Sequence, residues 1–148
     1  MFTSNKHTLA EVSLMSEREA VLFANDAFYL CFTGEDADGM DTLWALNAPV
    51  TCIHPGWEAL HGRKAVLESW RSIIAGGAPK IRCREAEVAI YGDFANVICF
   101  EEMDGGFLIA TNTFVREDKQ WKMVHHQAGP TRGKPAEEED SGAASAIN

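Results

Sequence analysis

The chain has 148 residues, of which 46% are hydrophobic and 24% charged, the balance of one soluble globular domain. Its formal charge is −9, with acids spread along the whole chain, which argues against a surface for nucleic acid or anionic membranes. No apolar run approaches the ~20 residues of a membrane span, and residues 1–13 have neither an apolar core nor a basic start, so a cytoplasmic protein is expected.

Residues 1–15 are polar and mixed and read as a flexible arm. Ser16-Glu17-Arg18-Glu19 then fits a capping box with Ser16 as N-cap. Ala20, Phe23, Ala24, Ala27, Phe28 and Cys31 recur at three- and four-residue spacing, which predicts an amphipathic helix ending near Gly34. Asp38 is placed to cap a short helix through Leu43, Trp44 and Leu46. A short β-rich run at 50–53 ends at His54-Pro55-Gly56, a sharp turn, and 57–61 reads as an edge strand. A third helix starts at Gly62, carries Val66, Trp70, Ile73 and Ile74 on one face, and stops at Gly76-Gly77.

From Lys80 the period changes from 3.6 to 2. Strands are predicted at 81–91, 94–103, 107–116 and 121–128, and their short connections predict an antiparallel meander. Helices first and strands later is the α+β pattern, here a cone in which three N-terminal helices pack inside a curved, mostly antiparallel sheet. One domain is expected over 16–130, followed by a disordered acidic tail over 131–148 that lacks periodicity and, beyond Ile147, large apolar side chains. The four cysteines have no CxxC pairing and read as buried small hydrophobes in a reducing compartment.

Thr51-Cys52-Ile53-His54-Pro55-Gly56, followed by Leu60-His61-Gly62-Arg63, resembles the strand, turn and helix passage of SnoaL-like proteins. Trp70 falls where such helices often carry an aromatic, and Trp121-x-x-Val124-His125 ending in Gly129-Pro130 resembles the closing strand of the calcium/calmodulin-dependent kinase II association domain. With the element order, the chain resembles the nuclear transport factor 2-like superfamily across 16–130. That resemblance implies a cone fold and leaves activity open, since enzymes, transport factors and assembly domains share it. Steroid isomerase members use an aspartate base with a tyrosine. Tyr29 and Tyr91 are not expected where that site would form. Dehydratase members of the scytalone type use paired histidines with an acid, which His54, His126 and Glu101 or Glu102 could imitate. The pocket arginines of the kinase association domain have no counterpart in the middle strands.

Candidate site residues follow from position and chemistry. His54 ends a strand at a turn, with an unperturbed pKa of about 6.5 suited to proton transfer near neutral pH. Glu101 and Glu102 close an apolar strand, and one must face inward, where desolvation would raise its pKa; Glu101 is the choice. His125 and His126 point to opposite faces by strand parity. The Trp121–Met123 face looks buried, yet small Val124 and Ala128 beside His126 leave room for a ligand, and His126 is chosen on that ground. Asn112 lies mid-strand on an inward face, and a buried amide needs partners. Trp57, Trp70 and Asn112 are expected to line a pocket for a small apolar ligand, with His54, His126 and Glu101 as catalytic groups. Two functions stay open: proton transfer beside a carbonyl, of isomerase, cyclase or dehydratase type, with neither metal nor organic cofactor, or a non-catalytic assembly domain. Helices can cover only one face of the sheet, so a homodimer through its convex face is expected in either case.

Overall fold

The structure is a computed structural model that describes residues 3–138, with side chains from residue 17 onward. In chain order the elements are α1 (Thr3–Thr33), α2 (Ala37–Leu43), β1 (Thr51–Ile53), β2 (Leu60–His61), α3 (Arg63–Ala75), β3 (Arg82–Tyr91), β4 (Phe94–Met103), β5 (Gly106–Glu117) and β6 (Gln120–Pro130). The strands form one sheet in the order β2-β1-β6-β5-β4-β3. Among the described strand pairs only β1–β6 is parallel. This is the expected α+β cone. The helices cover the concave face, and the core lies between them and the sheet, around Phe28, Trp44, Val97, Phe114 and Met123.

Local chemistry accounts for most boundaries. Gly62, at φ +92°, forms the N-cap of α3 in a conformation that favours glycine. Asp118 and Lys119 both take positive φ between paired Glu117 and Gln120, the geometry of a tight hairpin turn. The short helix is capped by Asp36 rather than Asp38: the Asp36 carboxylate accepts from Gly39 N at 2.9 Å. Asp38 instead pairs with Arg71 across to α3 at 2.7 Å.

The first helix differs from its sequence reading in two ways. It begins at Thr3, so Ser16 lies within the helix and the arm–domain boundary does not coincide with a helix start. No proline or glycine interrupts 3–33 to stop it. The buried stripe is also rotated. Val21, Asn25, Phe28, Tyr29 and Phe32 face the core, whereas Phe23 is 76% exposed. The expected stripe of Ala20, Phe23, Ala24, Ala27, Phe28 and Cys31 therefore shares only Phe28 with the residues that are fully buried.

Strand β6 carries the feature that decides the site. Thr113 pairs with His125 and Phe114 with Met123, so Val124 is an extra residue and forms a β-bulge. The bulge resets side-chain alternation. Trp121 and Met123 before it, and His126 and Ala128 after it, all face the core. Strict parity had forced a choice between these two sets.

The tail divides. Residues 131–138 lie against the β3 edge: Arg84 Nη2 donates to Ala136 O at 2.8 Å, and Ala136 N donates to the Glu85 carboxylate at 2.8 Å. Arg82 and Arg84 both pair with Glu138, and Pro135 is buried. The expected disorder therefore does not extend over this stretch, because two arginines and a carboxylate on one edge strand match it. The remainder, 139–148, lies outside the described residues. Among the described residues no helix is long and apolar enough to cross a membrane.

Candidate functional site

The cone encloses a cavity of about 200 Å³ between α1, the turn after β1, α3 and the ends of β4–β6. Phe28 and Phe32 of α1 and Trp70 and Ile73 of α3 supply apolar walls, and half-exposed Trp57 brings the cavity to the surface. Aromatic edges meet faces around it: the Trp70 ring lies 5.1 Å from Phe28 and 4.6 Å from His54 between centroids. The polar groups in the wall are Tyr29, His54, Glu101 and His126.

Sheet register explains how they converge. On the inner face, Cys52, His126, Asn112 and Val97 form one row across β1, β6, β5 and β4. Further along the strands Leu108 pairs with Glu101 and Glu101 with Cys83. Glu101 is 3% exposed, whereas Glu102 faces outward and pairs with Arg84 at 3.0 Å. Alternation on β4 thus runs unbroken to the cavity.

A hydrogen-bond chain fixes the groups. Asn112 Nδ2 donates to Asn25 Oδ1 at 2.8 Å and to the Tyr29 hydroxyl at 3.0 Å. The Tyr29 hydroxyl donates to Glu101 Oε2 at 2.7 Å. Asn112 Oδ1 can only accept, so His126 Nδ1, at 2.6 Å, carries the proton of that bond. His126 Nε2 is left with its lone pair, 4.0 Å from Glu101 Oε2. Ser69 gives its proton to Val66 O at 2.6 Å, so its oxygen accepts from His54 Nε2–H at 2.9 Å. Both tautomers follow from their partners.

Burial sets the charges. It pushes His126 down to about 3, with His54 and His125 adding to the effect, and His54 down to about 4. Both imidazoles are therefore neutral near pH 7. Burial pushes Glu101 up to about 6, against the opposing hydrogen bond from Tyr29. Burial, then the neighbouring Glu101 charge, raises Tyr29 well above its usual range, so it stays a donor. Glu101 has no cation beside it among the described residues; its one ion-pair neighbour is neutral His126. Trp70 Nε1–H has no acceptor among the described residues.

Of the residues expected from sequence, His54, Trp57, Trp70, Glu101 and His126 all line the cavity. Asn112 does not. It stands behind the wall and positions His126 and Tyr29, because those two side chains and Asn25 occupy its hydrogen-bonding groups. Tyr29 is a correction in the other direction: it lines the cavity and contacts the acid. The spacing of Val21, Asn25, Phe28, Tyr29 and Phe32 was the signal for it.

A SnoaL-like domain family matches residues 21–131. The chain belongs to that family. Among solved structures, it is 31% identical to a protein of Streptomyces avermitilis assigned provisionally as a dehydratase of the nuclear transport factor 2-like family. That match covers 80% of this chain and 98% of that one, at a TM-score of 0.74. It is 35% identical to a protein of Thiobacillus denitrificans assigned provisionally as a calcium/calmodulin-dependent kinase II association domain, covering 74% and 93% at a TM-score of 0.64. Among curated proteins, the F-box protein SKIP8 of Arabidopsis thaliana is 24% identical over 112 residues, 74% of this chain. Those residues are 48% of SKIP8, so this SnoaL-like chain spans about half the length of the curated relative it matches.

Proposed function

We propose that the cone pocket binds a small, uncharged, mostly apolar carbonyl compound, and that Glu101 moves a proton at the carbon beside its carbonyl. One observation carries this reading: Glu101 is a buried carboxylate in an apolar cavity, without a cation and oriented by Tyr29. Desolvation makes it a stronger base than an exposed carboxylate while leaving it largely ionised near pH 7. The cavity, at about 200 Å³, is smaller than drug-sized sites of ~300–1,000 Å³ and offers no positive side chain to an anionic ligand. Trp70, edge-on to Phe28, supplies aromatic wall for an apolar ligand to pack against. His54 and His126, lowered by burial to about 4 and 3, are weaker bases than Glu101 at about 6 and shape the wall instead. Loss of water from a β-hydroxy carbonyl begins with the same proton abstraction, and the likeness to the Streptomyces avermitilis protein favours that class. Such chemistry needs neither metal nor organic cofactor.

Proton exchange in D2O tests this without knowledge of the natural substrate. A panel of small cyclic ketones is followed by NMR for loss of the α-hydrogen signal. The expected outcome is exchange on a subset with the wild-type chain, slowed on the order of 10²-fold or more by Glu101→Gln. Equal rates for the two proteins would overturn the proposal.

A second role is compatible with the first. Tyr91, Phe94 and Ile98 are 64%, 41% and 49% exposed, and they stand on the face of β3 and β4 turned away from the helices. This apolar surface, together with the likeness to an association domain, favours a homodimer through the convex sheet.

A further inference from the structure

On one side the apolar cavity is closed by a wall only one side chain thick. Ile81 and Met103 line the cavity from within, and the same two residues line an open groove of about 700 Å³ on the outer surface. Ile81 and Tyr29 also separate the cavity from a second depression of about 340 Å³, which meets the groove along Leu30, Thr33 and Arg82. Ile81 thus borders all three spaces. Both wall residues are half-buried and stand where strand pairing ends. Ile81 lies just before Arg82, the first paired residue of β3, and follows a connection from α3 in which Gly77 takes φ +89°. Met103 pairs with Gly106 beside a tight turn that holds Gly105 at φ +90°. A side chain at the end of a ladder shifts more readily than one in its middle, and Met103 adds a flexible thioether.

The groove has its own chemistry. Leu30, 70% exposed, and half-buried Phe107 give it apolar surface. Its charges balance: Lys80 and Arg82 stand against Glu102 and Asp104, and Arg82 reaches Glu102 at 3.7 Å. An ionic group entering the groove would meet its own sign as readily as the opposite one. An aliphatic chain covers Leu30 and Phe107 without that conflict.

We propose that the ligand is longer than the cavity: its carbonyl head lies beside Glu101, while an uncharged alkyl tail passes between Ile81 and Met103 into the outer groove and lies against Leu30 and Phe107. The proposal rests on the cone interior being a ligand site and adds the length and polarity of what it binds. The cavity alone, at about 200 Å³, is below the size of ordinary ligand sites, and the groove is the adjoining space that extends it. Ile81 is then the specificity-determining residue, because it sets whether a tail can pass. Trp57 marks the other way out of the cavity, and a tail leaving there would touch neither Leu30 nor Phe107.

The test titrates the full chain by NMR with 2-alkylcyclopentanones whose tails run from methyl to hexyl. Affinity should rise about two- to fourfold with each methylene that enters the groove. The terminal methyl of the hexyl compound should give intermolecular NOEs to Leu30 and Phe107. Ile81→Trp, which thickens the wall, and Leu30→Glu, which puts a charge on the groove surface, should each cut the hexyl-to-methyl affinity ratio by about 10-fold or more. Leu30 is exposed and lies outside the cavity, so its variant decides the matter if Ile81→Trp fails to fold. Affinity independent of tail length, with the methyl compound bound in the cavity, would overturn the tail path alone. So would NOEs from the terminal methyl to Trp57, or an affinity ratio unchanged in Leu30→Glu. Binding of no member of the series would overturn the ligand site and the tail path together. A length-dependent series whose α-proton exchange ignores Glu101→Gln would uphold the tail path and remove only the base.

Discussion

On the proposed reading the buried carboxylate of Glu101 acts as a base because Tyr29, Asn112 and apolar walls hold it in place, and each contribution has its own signature. The Tyr29 hydrogen bond stabilises the ionised form, so Tyr29→Phe should raise the Glu101 midpoint above about 6, read from the 13C resonance of its carboxyl. The histidines act on stability in the opposite direction to the acid. Their folded pKa values lie below the unfolded value of about 6.5, so their contribution is complete above that pH and is lost as pH falls toward about 4 for His54 and 3 for His126. Glu101, raised to about 6, contributes stability below its unfolded value and loses it as pH rises through 6. At ~1.4 kcal/mol per pH unit the two imidazoles outweigh the single acid. The wild-type chain should therefore lose several kcal/mol between pH 6.5 and 4 in urea melts, and His54→Gln/His126→Gln should lose far less over that interval. The acid and both histidines were legible in the sequence because strand alternation and turn position point to them. Tyr29 and Asn25 were not, since a polar residue on a helix reads as solvent-facing until a buried partner such as Asn112 is known.

At the scale of elements, the β6 bulge at Val124 reconciles two inward-facing sets that a regular strand would place on opposite faces. Deleting Val124 would turn either Trp121 and Met123 or His126 and Ala128 out of the core. Trp121 and Met123 are 9% and 0% exposed, so losing their burial alone should cost roughly 3–5 kcal/mol, measurable as a lower urea midpoint. Val124→Ala, which keeps the residue count and the bulge, should cost no more than about 1.5 kcal/mol. The four long strands and α3 could be placed from sequence because their periods and glycine stops are clear. A bulge has no such mark. It is one extra residue in an otherwise regular pattern, and only the pairing of Thr113 with His125 and Phe114 with Met123 reveals it.

For the whole molecule, the stretch 131–138 and the convex face determine what the sheet presents to others. Pro135 is buried, and Arg84 and Glu85 bind the backbone of Ala136, so a chain ended after Pro130 should melt a few degrees below the full chain in calorimetry. An unchanged melting temperature would show that these contacts contribute little in solution. The exposed Tyr91, Phe94 and Ile98 lie elsewhere on the outer face, which leaves them free for a second copy. Light scattering should give twice the 16.3 kDa chain mass, and Ile98→Asp should return the monomer mass with the pocket intact.

In the proposed function the cone interior is a ligand site governed by Glu101. Titrating small neutral ketones into the isotopically labelled chain tests it most directly. Compounds that bind should shift the Trp70 indole N–H and the Glu101 carboxyl resonances together, saturating at one common midpoint. Binding that leaves both signals in place, or that shifts Tyr91, Phe94 and Ile98 instead, would contradict it.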